Sequence, residues 1–317
     1  MGFESLLGNE RLKENLAESL AKGRISHFYL IAGPEGSGKH TLARLLAAAI
    51  LCQGKKKPCF ACGPCRKVMD GNHPDFITVD DPEKKTVSVE LIRQARADIY
   101  IQPNESEHKI YLFPRAQDMG LPGQNALLKV LEEPPKYAVF LLLADNPDKL
   151  LPTVRSRCTE LNMQALPEEV LRKQLRRDFP QAQDDDISAA IFRSGGFLGQ
   201  ARQLLETGGQ LPPQTEAFVE AFSGKDALAL LRVLVPMEKM KRDALADLLE
   251  GWLELTESAL ASRSGVRAVS PHARRMAQAR TGAELHDAAV KLRKALDYVR
   301  SNVSPAAVCG YLEWELR

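Results

Sequence analysis

The chain has no long apolar run. No stretch of its 317 residues approaches the roughly 20 consecutive apolar residues of a spanning helix. The opening MGFESLLGNERLKENL has neither the basic start nor the apolar core of a signal peptide. A cytoplasmic location without a membrane partner is therefore expected. The chain also lacks a net charge of any size: 43 Lys and Arg against 41 Asp and Glu leave +2. That balance gives no bulk electrostatic hold on nucleic acid, so any contact with DNA has to be local or shared with partners. Cysteine is sparse, with six in all, yet four fall between residues 52 and 65. In a reducing cytosol such a cluster favours a metal over disulfides. Internal repeats are absent.

What is present begins with alternation. Leu12, Leu16 and Leu20 make a helical stripe over residues 10–22. His27–Ala32 is a short apolar run rich in aromatic and branched residues, stopped by Gly33-Pro34, and reads as a buried strand. Thr41–Leu51 reads as a helix. The pattern continues with strands at Phe76–Val79, Lys109–Phe113 and Ala138–Ala144, and helices at Val89–Ile99 and Gly123–Leu131. Alternation of this kind predicts an α/β domain, a parallel sheet flanked by helices, over residues 1–163. After Pro167 strand runs disappear. Residues 164–209 read as a small helical domain closed by Gly208-Gly209, and residues 210–317 as an all-α C-terminal domain interrupted at Ser264-Gly265 and Ser270-Pro271. The run Asp184-Asp185-Asp186 suits a helix start, and the basic stretch around Arg274, Arg275 and Arg280 suits a solvated helix face.

Gly33-Pro34-Glu35-Gly36-Ser37-Gly38-Lys39 fits G-x-x-x-x-G-K between a strand and a helix, the setting in which backbone N–H groups turn inward around phosphates and a lysine adds charge. Gly33, Gly36, Gly38, Lys39 and Thr41 are the candidate phosphate-binding residues, for ATP or ADP. The motif is degenerate, however. A hydroxyl that would ligate Mg²⁺ should follow the lysine, but His40 stands there, and Thr41 comes one residue late. A metal-holding acidic pair should close a neighbouring strand, but Lys109–Phe113 is followed by Pro114-Arg115. Asp118 falls well past the strand end and reads as a capping or surface aspartate. Beyond the strand Phe140-Leu141-Leu142 stand two polar residues, Asp145 and Asn146.

Cys52, Cys59, Cys62 and Cys65, spaced C-x6-C-x2-C-x2-C, can surround one tetrahedral Zn²⁺. Four thiolates leave no open position, so the zinc is expected to be structural. Lys55, Lys56 and Lys57 can steady the thiolates or simply form a solvated loop. Cys158 and Cys309 stand alone, and Cys309 suits a helical core.

These motifs resemble, in order and spacing over residues 8–162, the clamp-loader branch of the AAA+ ATPases. Arg24-Ile25-Ser26-His27-Phe28-Tyr29-Leu30 resembles that family's lead-in to the phosphate loop, and the cysteines fall where its zinc module lies. His73-Pro74-Asp75, the segment Asn125–Pro135 and Ser156-Arg157-Cys158 complete the likeness, with Ser301–Ser304 as a weaker late signature. The resemblance implies an AAA+ domain with an inserted zinc module, a helical lid and a C-terminal domain for oligomerisation. It implies that Arg157 reaches ATP bound to a neighbouring subunit. The implied partners are the gamma/tau ATPase subunits and the delta subunit in a pentamer, with the sliding clamp and primed DNA met through the complex. In the hydrolysing members of that family an Asp-Glu pair stands where this chain has Pro114-Arg115, and many carry a lid arginine where this chain has Gly199. A subunit that does not hydrolyse ATP is the expectation. The alternative is an active gamma/tau-like ATPase subunit that recruits Asp118 or Glu132 for its metal.

Overall fold

The computed structural model describes residues 2–84, 86–206, 211–264 and 270–316. In chain order the elements are α1 (Glu10–Ala21), β1 (Phe28–Ala32), α2 (Lys39–Leu51), α3 (Gly63–Met69), β2 (Phe76–Thr78), α4 (Val89–Asp98), β3 (Lys109–Phe113), α5 (Leu121–Glu132), β4 (Ala138–Ala144), α6 (Pro152–Arg155) and β5 (Thr159–Asn162). Helices α7 (Glu168–Asp178), α8 (Asp184–Arg193), α9 (Leu198–Glu206), α10 (Pro213–Ser223), α11 (Ala227–Met237), α12 (Arg242–Arg263), α13 (Pro271–Ala279), α14 (Gly282–Arg300) and α15 (Pro305–Glu315) follow.

The five strands form one parallel sheet in the order β2-β3-β4-β1-β5. Its three inner strands are buried along their whole length, because successive residues feed opposite faces. Tyr29, Ile31, Ile110, Leu112, Val139, Leu141 and Leu143 pack with α1, α2 and α3. Phe28, Leu30, Tyr111, Phe113, Phe140 and Leu142 pack with α4, α5 and α6. On that second face Phe28 stacks on Phe140 at 4.5 Å and Tyr111 on Phe140 at 5.4 Å. The sequence reading gave no strand at β5. Only Leu161 of its four residues is buried, so this edge strand has no apolar run to show.

Chain contacts define two compact units. One comprises residues up to Asp178 together with Arg193–Gln203, and the other Phe179–Phe192 together with Leu204 onward. Residues 164–209, expected to form a lid, are divided by these contacts: α7 falls in the first unit, α8 up to Phe192 in the second, and α9 is split between them, while Gly208-Gly209 lies outside the described residues. In the second unit Trp252 is fully buried, stacks on Phe218 at 4.1 Å and donates from Nε1 to Thr215 Oγ1 at 3.2 Å. Cys309 is buried in the same core. Arg274, Arg275 and Arg280 are each ion-paired, with Asp185, Glu220 and Glu284. Among the described residues no helix is long and apolar enough to cross a membrane.

Below the sheet, Asp75 is fully buried but well served. Its carboxylate accepts from the backbone N–H groups of Asn104 (2.6 Å), Glu105 (3.0 Å) and Ser106 (3.0 Å) and from Asn104 Nδ2 (3.0 Å). Burial alone would raise its pKa, but these donors outweigh it and hold the group below its ordinary value of 3.8. A depressed carboxylate contributes stability above its unfolded pKa and loses it as pH falls through the folded one. The first unit should therefore weaken on acidification below about pH 4. Asp75→Ala, which strands four donors, should cost about 3 kcal/mol at pH 7 in denaturant titration, and the acid-sensitive component should vanish with it.

Candidate functional site

The glycine loop leaves β1 at its carboxyl end and feeds α2, whose N-cap is Gly38 at φ 95°. Above it lies a cleft of about 870 Å³. The loop residues Gly36, Gly38, Lys39, His40 and Thr41 line it, and so do Asp80, Asp118 and Asp145 and the lid side chains Arg177 and Arg202. This is the position where parallel α/β sheets bind ligands, outside the carboxyl ends of the strands.

The loop lysine is already engaged. Lys39 is only 5% exposed, and its ammonium donates to Gly33 O (2.7 Å), Pro34 O (2.9 Å) and Asp145 Oδ1 (2.5 Å). Of the two candidates after β4, Asp145 is therefore the one that enters the cleft. Asn146 instead caps a short turn, accepting from Asp148 N at 2.9 Å. Gln117 Nε2 holds the other Asp145 oxygen at 3.2 Å. Desolvation, then the charges of Lys39 and Arg44, keep His40 below its ordinary pKa, so a neutral imidazole stands where a Mg²⁺ hydroxyl ligand is needed.

At the end of β3, Arg115 turns onto the preceding loop. It donates to Asp80 Oδ1 at 2.6 and 3.1 Å and to the carbonyls of Asp81 (2.8 Å) and Lys84 (2.9 Å). Asp80 is a cleft carboxylate that the sequence reading missed, and Arg115 neutralises it. Asp118 differs from its expected place: the short helical turn Ala116–Asp118 brings it to the cleft wall. Gly199 does face the loop, and Arg202, one turn later on α9, lines the cleft and pairs with Asp178 at 2.6 Å. An arginine is thus present on α9, three residues beyond the position the resemblance pointed to. The donor set does not fit a magnesium nucleotide: the lysine is saturated, a neutral imidazole stands in place of the metal hydroxyl, and the cleft acid after β2, Asp80, is held by Arg115.

Arg157 is not among the cleft residues. Parallel pairing sets Tyr29 opposite Thr159 and Ala32 opposite Asn162. The loop before β5 therefore lies at the end of the sheet opposite Gly33, at least ~13 Å along the strands at ~3.3 Å per residue. Arg155 is pinned there by Asp148 (2.6 Å) and Glu160 (3.3 Å). Arg157 donates to Thr153 O at 3.0 Å, and among the described residues its counter-charge is Glu132 at 3.8 Å. Cys158 Sγ donates to Val154 O at 3.3 Å, and burial pushes its thiol up to about 12, so it anchors this turn as an unreactive group. Buried Gln124 of α5 ties the approach to α6, bonding Met119 O, Lys149 O and Leu151 N. Gln124 was not visible as a positioning residue from sequence, because its partners lie on both sides of β4.

The four clustered cysteines do converge. Cys52 closes α2, Cys62 caps α3, Cys65 sits on its first turn and Cys59 lies between. Their Sγ atoms all lie within 4.8 Å of one another, with Cys59–Cys65 and Cys62–Cys52 at 4.0 Å. A tetrahedral Zn²⁺ with ~2.3 Å Zn–S bonds needs sulfur separations of ~3.8 Å. Gly54 N and Cys62 N donate to Cys52 and Cys59 Sγ at 3.3 Å each, and a Cβ on Gly54 would meet Cys59 Sγ at 3.0 Å. The set fits one closed zinc site. Lys55, Lys56 and Lys57 are exposed beside it.

The family model for the DNA polymerase III delta subunit matches residues 8–167, just over half of the chain. The chain belongs to that family. This agrees with the clamp-loader AAA+ resemblance of its motifs. Similar curated proteins include DNA polymerase III subunit tau of Escherichia coli, 37% identical over 175 residues, covering 55% of this chain and 27% of that one. Subunit gamma/tau of Mycobacterium tuberculosis is 34% identical over 215 residues, covering 66% and 37%, and subunit gamma of Buchnera aphidicola 31% identical over 210 residues, covering 64% and 58%. The chain therefore spans between about a quarter and three fifths of the length of these relatives. A solved gamma-subunit-related protein of Thermotoga maritima matches 96% of this chain and 99% of its own at 17% identity and a TM-score of 0.39, which carries no argument here. The relatives are named tau or gamma, which leaves the particular subunit to be argued from the site.

Metal analysis of the purified chain should find a single zinc ion. Cys62→Ser should lose most of it, and chelation should lower the melting temperature of the first unit, since a structural zinc contributes folding energy directly.

Proposed function

We propose that this chain is the delta prime subunit of a bacterial replicative clamp loader, a cytoplasmic, non-hydrolysing member of the DNA polymerase III holoenzyme. The observation that carries the reading is a contrast between two ends of one sheet. At the phosphate-loop end the chemistry for metal-assisted hydrolysis is dismantled: His40 replaces the metal hydroxyl, Pro114-Arg115 replaces the acidic pair, and Lys39 is bound to Asp145. At the other end Arg157 sits beyond reach of its own cleft, only loosely paired. An arginine so placed can serve ATP only on another chain. Its permanent charge and forked donors suit the oxygens of a transferring phosphoryl group. A finger supplied from a neighbour is worth factors of ~10³ to 10⁵ in rate. In this reading the gamma/tau ATPase subunit and the delta subunit are the neighbours in a pentamer, the α10–α15 unit joins the assembly, and the complex places the sliding clamp on primed DNA.

The second reading is an active gamma/tau-like ATPase. The names of the relatives favour it, as does the presence of Asp80 and Asp118 in the cleft. It would need Asp80 to leave Arg115, or Asp118 to take the metal without the loop hydroxyl. Steady-state turnover separates the two. The isolated chain should show none. Mixed with the ATPase subunit of the same loader it should stimulate turnover, and Arg157→Ala should remove at least ~10³-fold of that stimulation without changing co-elution of the complex. Turnover by the isolated chain that disappears in Lys39→Ala would establish the second reading instead.

A further inference from the structure

The disagreement between the phosphate loop and a nucleotide has a specific source. Lysine has three donors, and all three of Lys39 are taken, two by carbonyls of its own loop and one by Asp145. We propose that Asp145 is an internal counter-anion that occupies Lys39 in place of a nucleotide phosphate, so that this cleft selects against ATP and ADP. The inference deepens the non-hydrolysing reading of the cleft and does not depend on the role of Arg157.

Three observations support it. The carboxylate is held on both oxygens, Oδ1 by Lys39 and Oδ2 by Gln117, so it is oriented and not merely nearby. An arriving phosphate would have to displace it and then stand beside an unpaired negative charge. The tip of the loop is also closed from above: Gly199 N donates to Gly36 O at 2.9 Å. The two glycines approach so closely that a Cβ on Gly199 would lie 2.5 Å from Gly36 Cα, and one on Gly36 2.5 Å from Gln200 N. Gly199 therefore permits a backbone seal over the loop that a side chain at this position would force open. Finally, Asp145 lies at the end of β4 with its side chain 47% exposed, so replacing it removes the counter-anion without opening the core.

The test is binding of a fluorescent ATP analogue, with and without Mg²⁺, to the full chain and to Asp145→Asn and Asp145→Ser, with folding followed by circular dichroism. Both variants should bind at least tenfold more tightly than the unmodified chain, and the gain should disappear when Lys39→Ala is added. Micromolar binding by the unmodified chain, equal affinity across the three proteins, or a gain that survives loss of Lys39 would each overturn the proposal. The unmodified chain provides a test even if one variant fails to fold. Tight binding without turnover would sink this inference alone and leave the Arg157 reading standing. Loss of the trans effect would do the reverse.

Discussion

The pairing of β1 between β4 and β5 governs where everything else in the first unit lies. Because all three strands run parallel and in matched register, the residue that follows β1 and the residue that follows β4 emerge side by side, which brings Asp145 to Lys39 across 106 residues of sequence. The same register sends the turn before β5 to the far end of the sheet. A parallel sheet separates its two ends by the length of its strands, so groups at opposite ends cannot work on one ligand. The separation of the glycine loop from Arg157 is a consequence of that geometry.

Burial on both faces makes this register hard to change. A slip of one residue would exchange Tyr29 and Ile31 with Phe28 and Leu30, reversing which side chains meet α2 and which meet α5. The four-cysteine cluster packs beside the first of these faces. Cys52 ends α2 and Cys65 lies on the first turn of α3, so a metal held by them would fix the far end of the helix that the phosphate loop starts. The Asp75 network and Gln124 extend this bracing with buried polar groups whose donors and acceptors are matched. The cleft thus sits on a frame tied by buried polar contacts.

The charged groups of the cleft are largely paired within the chain. Three pairs of opposite charge lie at the cleft: Lys39 with Asp145, Asp80 with Arg115, and Arg202 with Asp178. These charges are met within the chain, and the close Gly36–Gly199 contact leaves no room for a side chain at residue 199.

Much was determined by the sequence alone, and the reason is that the deciding features are local. A glycine loop between an apolar run and a helix, four cysteines within one hairpin of chain, a His after the loop lysine and Pro114-Arg115 after a strand are all readable from neighbouring residues, and the alternation of runs gave the parallel sheet. The tertiary structure decided what depends on register and on distant partners. It chose Asp145 over Asn146, brought Asp80, Asp118 and Arg202 to the cleft, revealed β5 as an edge strand with one buried residue, and set Arg157 at the opposite end from Gly33. None of these follows from spacing, because each rests on which strand ends lie side by side, and that is settled only when both faces of the sheet are buried at once.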